Sequence, residues 1–194
     1  MDIAYLKEKI KHGENIPFLL SKKKMIFVSI IFIIFACISI WMAFSGNTLS
    51  AKVVGIACFL LCGYFGLLFV KPLFSRQMPP VISLNKDCLD IFLNPLKQNS
   101  PFISIRWGDI SYIYIEIVKG SKGHKNYYLA LTCTDSAIQN IQNQLKQLSF
   151  VSIRICSVRN NIVLLNISSF IDISLSDLLP LLEETHKDLT AERH

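Results

Sequence analysis

Met25–Phe44, MIFVSIIFIIFACISIWMAF, is twenty residues without a charge, and its reading decides the fold. A helix rises about 1.5 Å per residue, so this stretch covers about 30 Å, the hydrocarbon thickness of a bilayer. Val53–Val70, VVGIACFLLCGYFGLLFV, is a second uncharged run. Between them lies only SGNTLSAK, where Gly46 and Asn47 are turn formers, so the two segments are expected to pair as an antiparallel transmembrane hairpin.

Flanking charge gives the expected orientation. Lys22, Lys23 and Lys24 precede the first run, Lys71 and Arg76 follow the second, and the connection carries only Lys52. Positive residues resist translocation, which predicts both termini in the cytosol. The apolar run is longer than a signal-peptide core and begins behind a polar tail, which argues against cleavage. Ile34–Cys37, IFAC, has only a faint lipoprotein-signal character, since Phe35 is bulky for that pattern and a second span follows.

Outward from the hairpin, composition agrees. The chain is 52% hydrophobic over 194 residues, more than an ordinary soluble domain carries. Its net charge of +6 is uneven: residues 1–78 hold nine Lys/Arg against three acids, whereas residues 79–194 balance. The excess sits beside the apolar runs, as a topology signal would, and nucleic acid is not an expected partner. Neither run has an ionisable residue at its centre, which argues against an ion or proton carrier. Gly55, Cys58, Cys62 and Gly66 form a small-residue stripe, suited to packing within the hairpin or to a homo-oligomer through the second helix.

The six cysteines (37, 58, 62, 88, 133 and 156) include no C-x-x-C pair, and the histidines do not cluster. Reduced, buried thiols are expected, with no metal site and no cofactor. There is no G-x-S-x-G, H-E-x-x-H or phosphate loop, and His12, His186 and His194 lie in tail regions, so no catalytic residue is assigned and the chain is not read as an enzyme. The first residues, 2–11, place Ile3, Leu6 and Ile10 at helical spacing, either a frayed tail or a short helix on the membrane surface.

After residue 80 the apolar period becomes two. Strands are expected at Cys88–Leu93, Phe102–Trp107, Ile110–Val118, Tyr127–Cys133, Val151–Ser157 and Ile162–Ile167, the last two joined by the Asn160–Asn161 turn. Ser136–Leu148 reads as a helix capped by Asp135, and Leu175–Leu189 as a closing helix with Asp177 as cap and Pro180 in its first turn. The organisation read from the sequence is a cytosolic tail (1–24), a hairpin (25–71, with spans 25–44 and 53–70) and a cytosolic domain (79–194).

Phe18–Lys24 (FLLSKKK), Leu89–Phe92 (LDIF), the I-x-W-x-D-I of Ile105–Ile110 and the I-x-I-S-x-x-x-L-L of Ile171–Leu179 resemble a family of small bacterial inner-membrane proteins with a cytosolic pleckstrin-homology (PH)-like domain. The resemblance implies an α+β membrane protein: a two-helix transmembrane hairpin followed by a PH-like antiparallel β-sandwich or barrel of seven strands with a C-terminal closing helix. It implies no catalytic or binding residue. It also implies the bacterial inner membrane as the location.

Two clusters stand out. Lys119, Lys122, His124 and Lys125 crowd one loop, a contact for anionic lipid or a partner, or else a solvated hairpin tip. Trp107 with Asp109 is read as structural, the indole filling the core and the carboxylate fixing the turn into the next strand. The function expected is a membrane-tethered, non-enzymatic interaction module that binds a protein, or weakly lipid. Alternatives are an immunity-type protein engaging a membrane-active toxin and an interfacial enzyme acting on lipid.

Overall fold

The computed structural model describes residues 3–94, 96–97, 99–119, 123–146 and 155–191. The chain forms two compact units, one of residues Ser21–Met78, the other of Met1–Leu20 together with Pro79–His194.

The first unit begins with helix α2 (Lys22–Ser45), so numbered because α1 (Ile3–Lys11) precedes it in the chain. It starts at Ser21, whose Oγ accepts from the Lys24 amide at 3.2 Å, and stops at Gly46, whose amide donates to Met42 O. Thr48 Oγ1 accepts from Ala51 N at 3.3 Å and starts α3 (Leu49–Val70), which runs into a 3-10 turn at Lys71–Phe74. Ser29 and Ser39 turn their hydroxyls back onto Met25 O and Phe35 O, both at 2.8 Å, so neither polar group faces the apolar surroundings unpaired.

Both helices are long and apolar enough to cross a membrane. Phe27, Ile30, Ile34 and Ile38 of α2, and Val54, Leu60, Leu61 and Leu67 of α3, all point outward and are exposed. That continuous apolar surface is far larger than soluble proteins leave to water. The helices touch where side chains are small: a Cβ on Gly55 would lie 2.7 Å from Ala43 N and 2.8 Å from Ser39 O. Phe32 stacks between Phe65 and Phe69, with ring centroids 5.9 and 5.7 Å away. This unit holds Lys22, Lys23, Lys24, Lys52, Lys71 and Arg76 and no acid, so it carries the entire charge excess of the chain.

The second unit is built on two four-stranded antiparallel sheets. Sheet 1 has the order β1 (Ile16–Leu19), β2 (Pro80–Leu84), β3 (Cys88–Phe92), β4 (Phe102–Arg106). Sheet 2 contains β5 (Ile110–Lys119), β6 (Lys125–Cys133), β7 (Cys156–Arg159) and β8 (Ile162–Leu165) in the order β5-β6-β8-β7. Alternation buries Ile82, Leu84, Leu89, Ile91, Ile103 and Ile105 from sheet 1, and Ile113, Leu129, Leu131, Val163 and Leu165 from sheet 2. Helix α4 (Asp135–Lys146) follows β6, and α5 (Leu175–Ala191) lies against β5, β6 and the 3-10 turn Trp107–Asp109 that separates β4 from β5.

Several expectations change. The strands form two open sheets among the described residues and not a closed barrel. The first 24 residues are not a separate tail. Strand β1 pairs with β2 from Ile16↔Leu84 to Leu19↔Pro80, and α1 packs on α5 with Ile10 fully buried. Lys7 Nζ lies 2.9 Å from Glu184 and 3.0 Å from Asp188, and Lys11 Nζ lies 3.3 Å from Asp188. Of the apolar stripe of α1, Ile10 is thus buried where the helix packs on α5, and Ile3 and Leu6 are half-buried. The hydrogen bonds of Lys7 and then of Lys11 pull Asp188 below its ordinary value against a desolvation that opposes them.

Local details differ too. Asp135 is the first residue of α4 and not its cap; Ile138 N bonds Thr134 O at 3.0 Å. For α5 the cap is Ser174, whose Oγ accepts from Asp177 N at 3.1 Å, so Asp177 lies in the first turn and Pro180 in the second. There Pro180 lacks the N–H that would bond the Ser176 carbonyl, so one rung of the helical ladder is lost. Trp107 lies in the 3-10 turn instead of ending a strand. The expected strand Val151–Ser157 begins outside the described residues, as does the end of the expected helix at Leu148. The Asn160–Asn161 turn has φ of 46° and 53°, the left-handed pair that a two-residue hairpin needs.

Candidate functional site

The site residues expected from sequence fall into three places. Lys22 and Lys23 are exposed in the first turn of α2, with Lys24 half-buried beside them, and Lys71 and Arg76 are exposed after α3. They remain flanks of the apolar helices.

Trp107 is fully buried. Its Nε1–H donates to Asn85 O at 2.9 Å in the β2–β3 turn, and its ring lies 6.5 Å from the His186 ring on α5. His186 Nε2 donates to Ile110 O at 2.8 Å, which defines the tautomer carrying its proton there. Asp109 is half-buried: its carbonyl accepts from Thr134 N at 2.9 Å and its carboxylate from Thr134 Oγ1 at 3.4 Å. Trp107, Asp109 and His186 therefore join sheet 1, sheet 2 and α5.

The third place is the ribbon of β5 and β6. Strand β8 pairs with β6 only over Leu129–Thr132, whereas β5 and β6 pair from Ile110↔Cys133 to Lys119↔Lys125. The outer half of the ribbon therefore runs past β8. Ile113, Ile115 and Ile117 share one face of β5 with Leu131, Leu129 and Tyr127 as their partners. That face is buried at Ile113 and Leu129 and open at Ile117 and Tyr127, which are 50% and 48% exposed. One step further, Lys119 and Lys125 stand directly opposite each other. Like charges in that position repel, so the pair is suited to an anionic group placed between them. His124 is exposed beside them, and Lys122 lies outside the described residues.

Cysteines depart in part from the buried expectation. Cys133 and Cys156 are buried, and desolvation pushes both thiols up to about 12. Cys37 is exposed on α2. Cys88 is half-buried in a polar patch on the outer face of sheet 1, where its thiol donates to Asn85 Oδ1 at 3.2 Å and burial raises it.

Two features escaped the sequence reading. One is the exposed Ile117–Tyr127 pair, because an alternating strand does not reveal where its neighbour stops. The other is the end of sheet 1 at which Leu19, Phe92 and Phe102 gather. Phe102 shares its strand face with Ser104 and Arg106, and a phenylalanine on a polar face was the available signal.

Comparison with family models, with curated proteins and with solved structures finds no match.

Proposed function

We propose that this protein is a membrane-tethered, non-enzymatic interaction module, a PH-like domain held at the cytosolic face of the bacterial inner membrane that binds a protein partner through the β5–β6 ribbon. The PH-like reading is supported by a four-stranded antiparallel meander, a second antiparallel sheet and a closing C-terminal helix, together with the sequence resemblance.

The tether is supported by connectivity. Residues 1–20 and 79–194 fold as one unit, so both must lie on the same side of a membrane. The chain between them then crosses an even number of times, which α2 and α3 satisfy. The flanking lysines support the cytosol as that side.

Binding rests on one observation: the apolar pair Ile117 and Tyr127 continues the core face beyond the sheet into solvent, edged by Lys119 and Lys125. An apolar and aromatic centre with charge only at its edge matches the apolar core and polar rim of a protein contact. Anionic lipid is the weaker ligand, since each lysine near a charged membrane contributes about 1 kcal/mol.

The test is affinity capture of the full chain from membranes in mild detergent, read by mass spectrometry against Ile117→Asp/Tyr127→Asp. A partner held by the wild type and released by the variant supports the module, provided the emission of Trp107, read in a Trp41→Phe background, is unchanged. Identical capture by both proteins overturns the ribbon as the binding surface.

A further inference from the structure

We propose that the end of sheet 1 carrying Leu19, Phe92 and Phe102 seats in the interfacial layer of the same bilayer that α2 and α3 enter, so that lipid contact sets the domain's tilt. This rests on the reading of α2 and α3 as membrane spans.

Strand register defines that end. Leu19 pairs with Pro80, Ile82 with Ile91, and Phe92 with Phe102, while Leu93 N bonds Pro101 O at 2.9 Å. Leu20 N bonds Pro79 O at 2.9 Å at the same end. Only Leu20 and Ser21 separate β1 from α2, so at most about 11 Å of chain joins Leu19 to the first helical residue. Covalent connection alone therefore keeps Leu19 near the point where the chain enters lipid.

The rim has the chemistry of an interface. Leu19, just past the register shift that follows Phe18, is 46% exposed, and Phe102 is 52% exposed. Phe92 is half-buried against it, with ring centroids 5.5 Å apart. Further along the same outer face the side chains become polar: Asp90 opposite Ser104, then Cys88 opposite Arg106. The β3–β4 loop is braced by Asn94 N bonding Ser100 Oγ at 2.7 Å, and it presents an exposed Lys97 able to reach lipid phosphate.

Bilayer is favoured over protein as the occupant. Three apolar side chains fall well short of the roughly 1,000 Å² that a specific protein interface buries. A tethered domain needs no such area, because the tether already supplies a high local concentration of lipid. Leu19 lies on one edge strand and Phe102 on the other, about 14 Å away at roughly 4.8 Å per strand. The tethers hold only the β1–β2 side. Lipid contact at Phe102 would therefore stop rotation about them.

Tryptophan quenching by bromolipids in reconstituted vesicles of the full chain tests this without altering any cysteine. Trp41 and Trp107 are the two native tryptophans, the first 69% exposed on α2 and the second buried. In the wild type, Trp41 should be quenched. In Trp41→Phe/Phe102→Trp, the new indole should emit at blue-shifted wavelength and lose intensity with lipids brominated near the headgroup. In Trp41→Phe/Arg106→Trp, four residues further along, the emission added over that of Trp41→Phe, in which only buried Trp107 remains, should be red and unquenched. An unquenched Trp at position 102 alongside a quenched Trp41 overturns this inference and leaves the membrane spans intact. So does a blue-shifted but unquenched one, which marks protein cover. An unquenched Trp41 overturns the spans themselves.

Discussion

Leu20 and Pro79 are joined by a backbone hydrogen bond of 2.9 Å although the whole of the apolar hairpin lies between them in sequence. The hairpin thus stands where an ordinary β1–β2 turn would. The domain is folded around an insertion and is not appended after an anchor.

Topology follows first. With the termini in one folded unit, a single cysteine at Thr48, in a cysteine-free background, is expected to react with an impermeant maleimide in intact spheroplasts. A cysteine at Ser136 should react only after lysis. Labelling at Ser136 and not at Thr48 inverts the orientation.

Excision should respect the insertion. Residues 1–20 joined to 79–194 by a short glycine-containing turn are expected to form a soluble, cooperatively melting domain. Residues 79–194 alone lack Ile10, Phe18 and Leu20, all buried, and should melt at lower temperature or aggregate. Ile10→Ala in the joined domain should cost about 2 to 5 kcal/mol by denaturant titration. Equal stability of the two fragments would remove β1 from the fold.

The hairpin should fail at one glycine. Gly55→Val forces its side chain into Ala43 and Ser39, an overpacking that costs about 1 to 3 kcal/mol. Gly63→Ala, where a Cβ meets nothing within 4 Å, should be silent. Disulfide trapping between α2 and α3 in membranes would show reduced yield for the first variant only.

Trp107→Ala in the joined domain should cost about 3 to 5 kcal/mol. Trp107→Phe keeps much of the volume but leaves Asn85 O without its donor, at about 1 to 3 kcal/mol. In that fragment Trp107 is the only tryptophan, so its emission should be blue-shifted when folded and red when unfolded. Water-like emission from the folded domain would move Trp107 out of the core.

The buried thiols set an alkaline limit. Cys133 and Cys156 stay protonated in the fold up to about pH 12, whereas an unfolded thiol ionises near pH 9. Their contribution is complete below pH 9 and is lost as pH rises from there to about 12, because only the unfolded state then releases protons. Denaturation midpoints should fall over that range and fall less in Cys133→Ala/Cys156→Ala. Both thiols should resist alkylation at pH 8 until denaturant is added.

Span lengths, the antiparallel hairpin, its charged flanks, most strand positions and both amphipathic helices of the domain were legible in the amino-acid sequence, because each depends on neighbours a few residues apart. Ile16–Leu19 was not legible as a strand: it is four residues long, contains Pro17, and finds its ladder in residues 80–84, beyond two membrane-length helices. Nor was the destination of α1, since an apolar stripe does not say whether lipid or α5 covers it. Only tertiary structure revealed that Ile117 and Tyr127 overrun the sheet and that Leu19 and Phe102 share the connector end. Those facts depend on where β8 stops and on the register of four strands, and period-two alternation reads the same in either case.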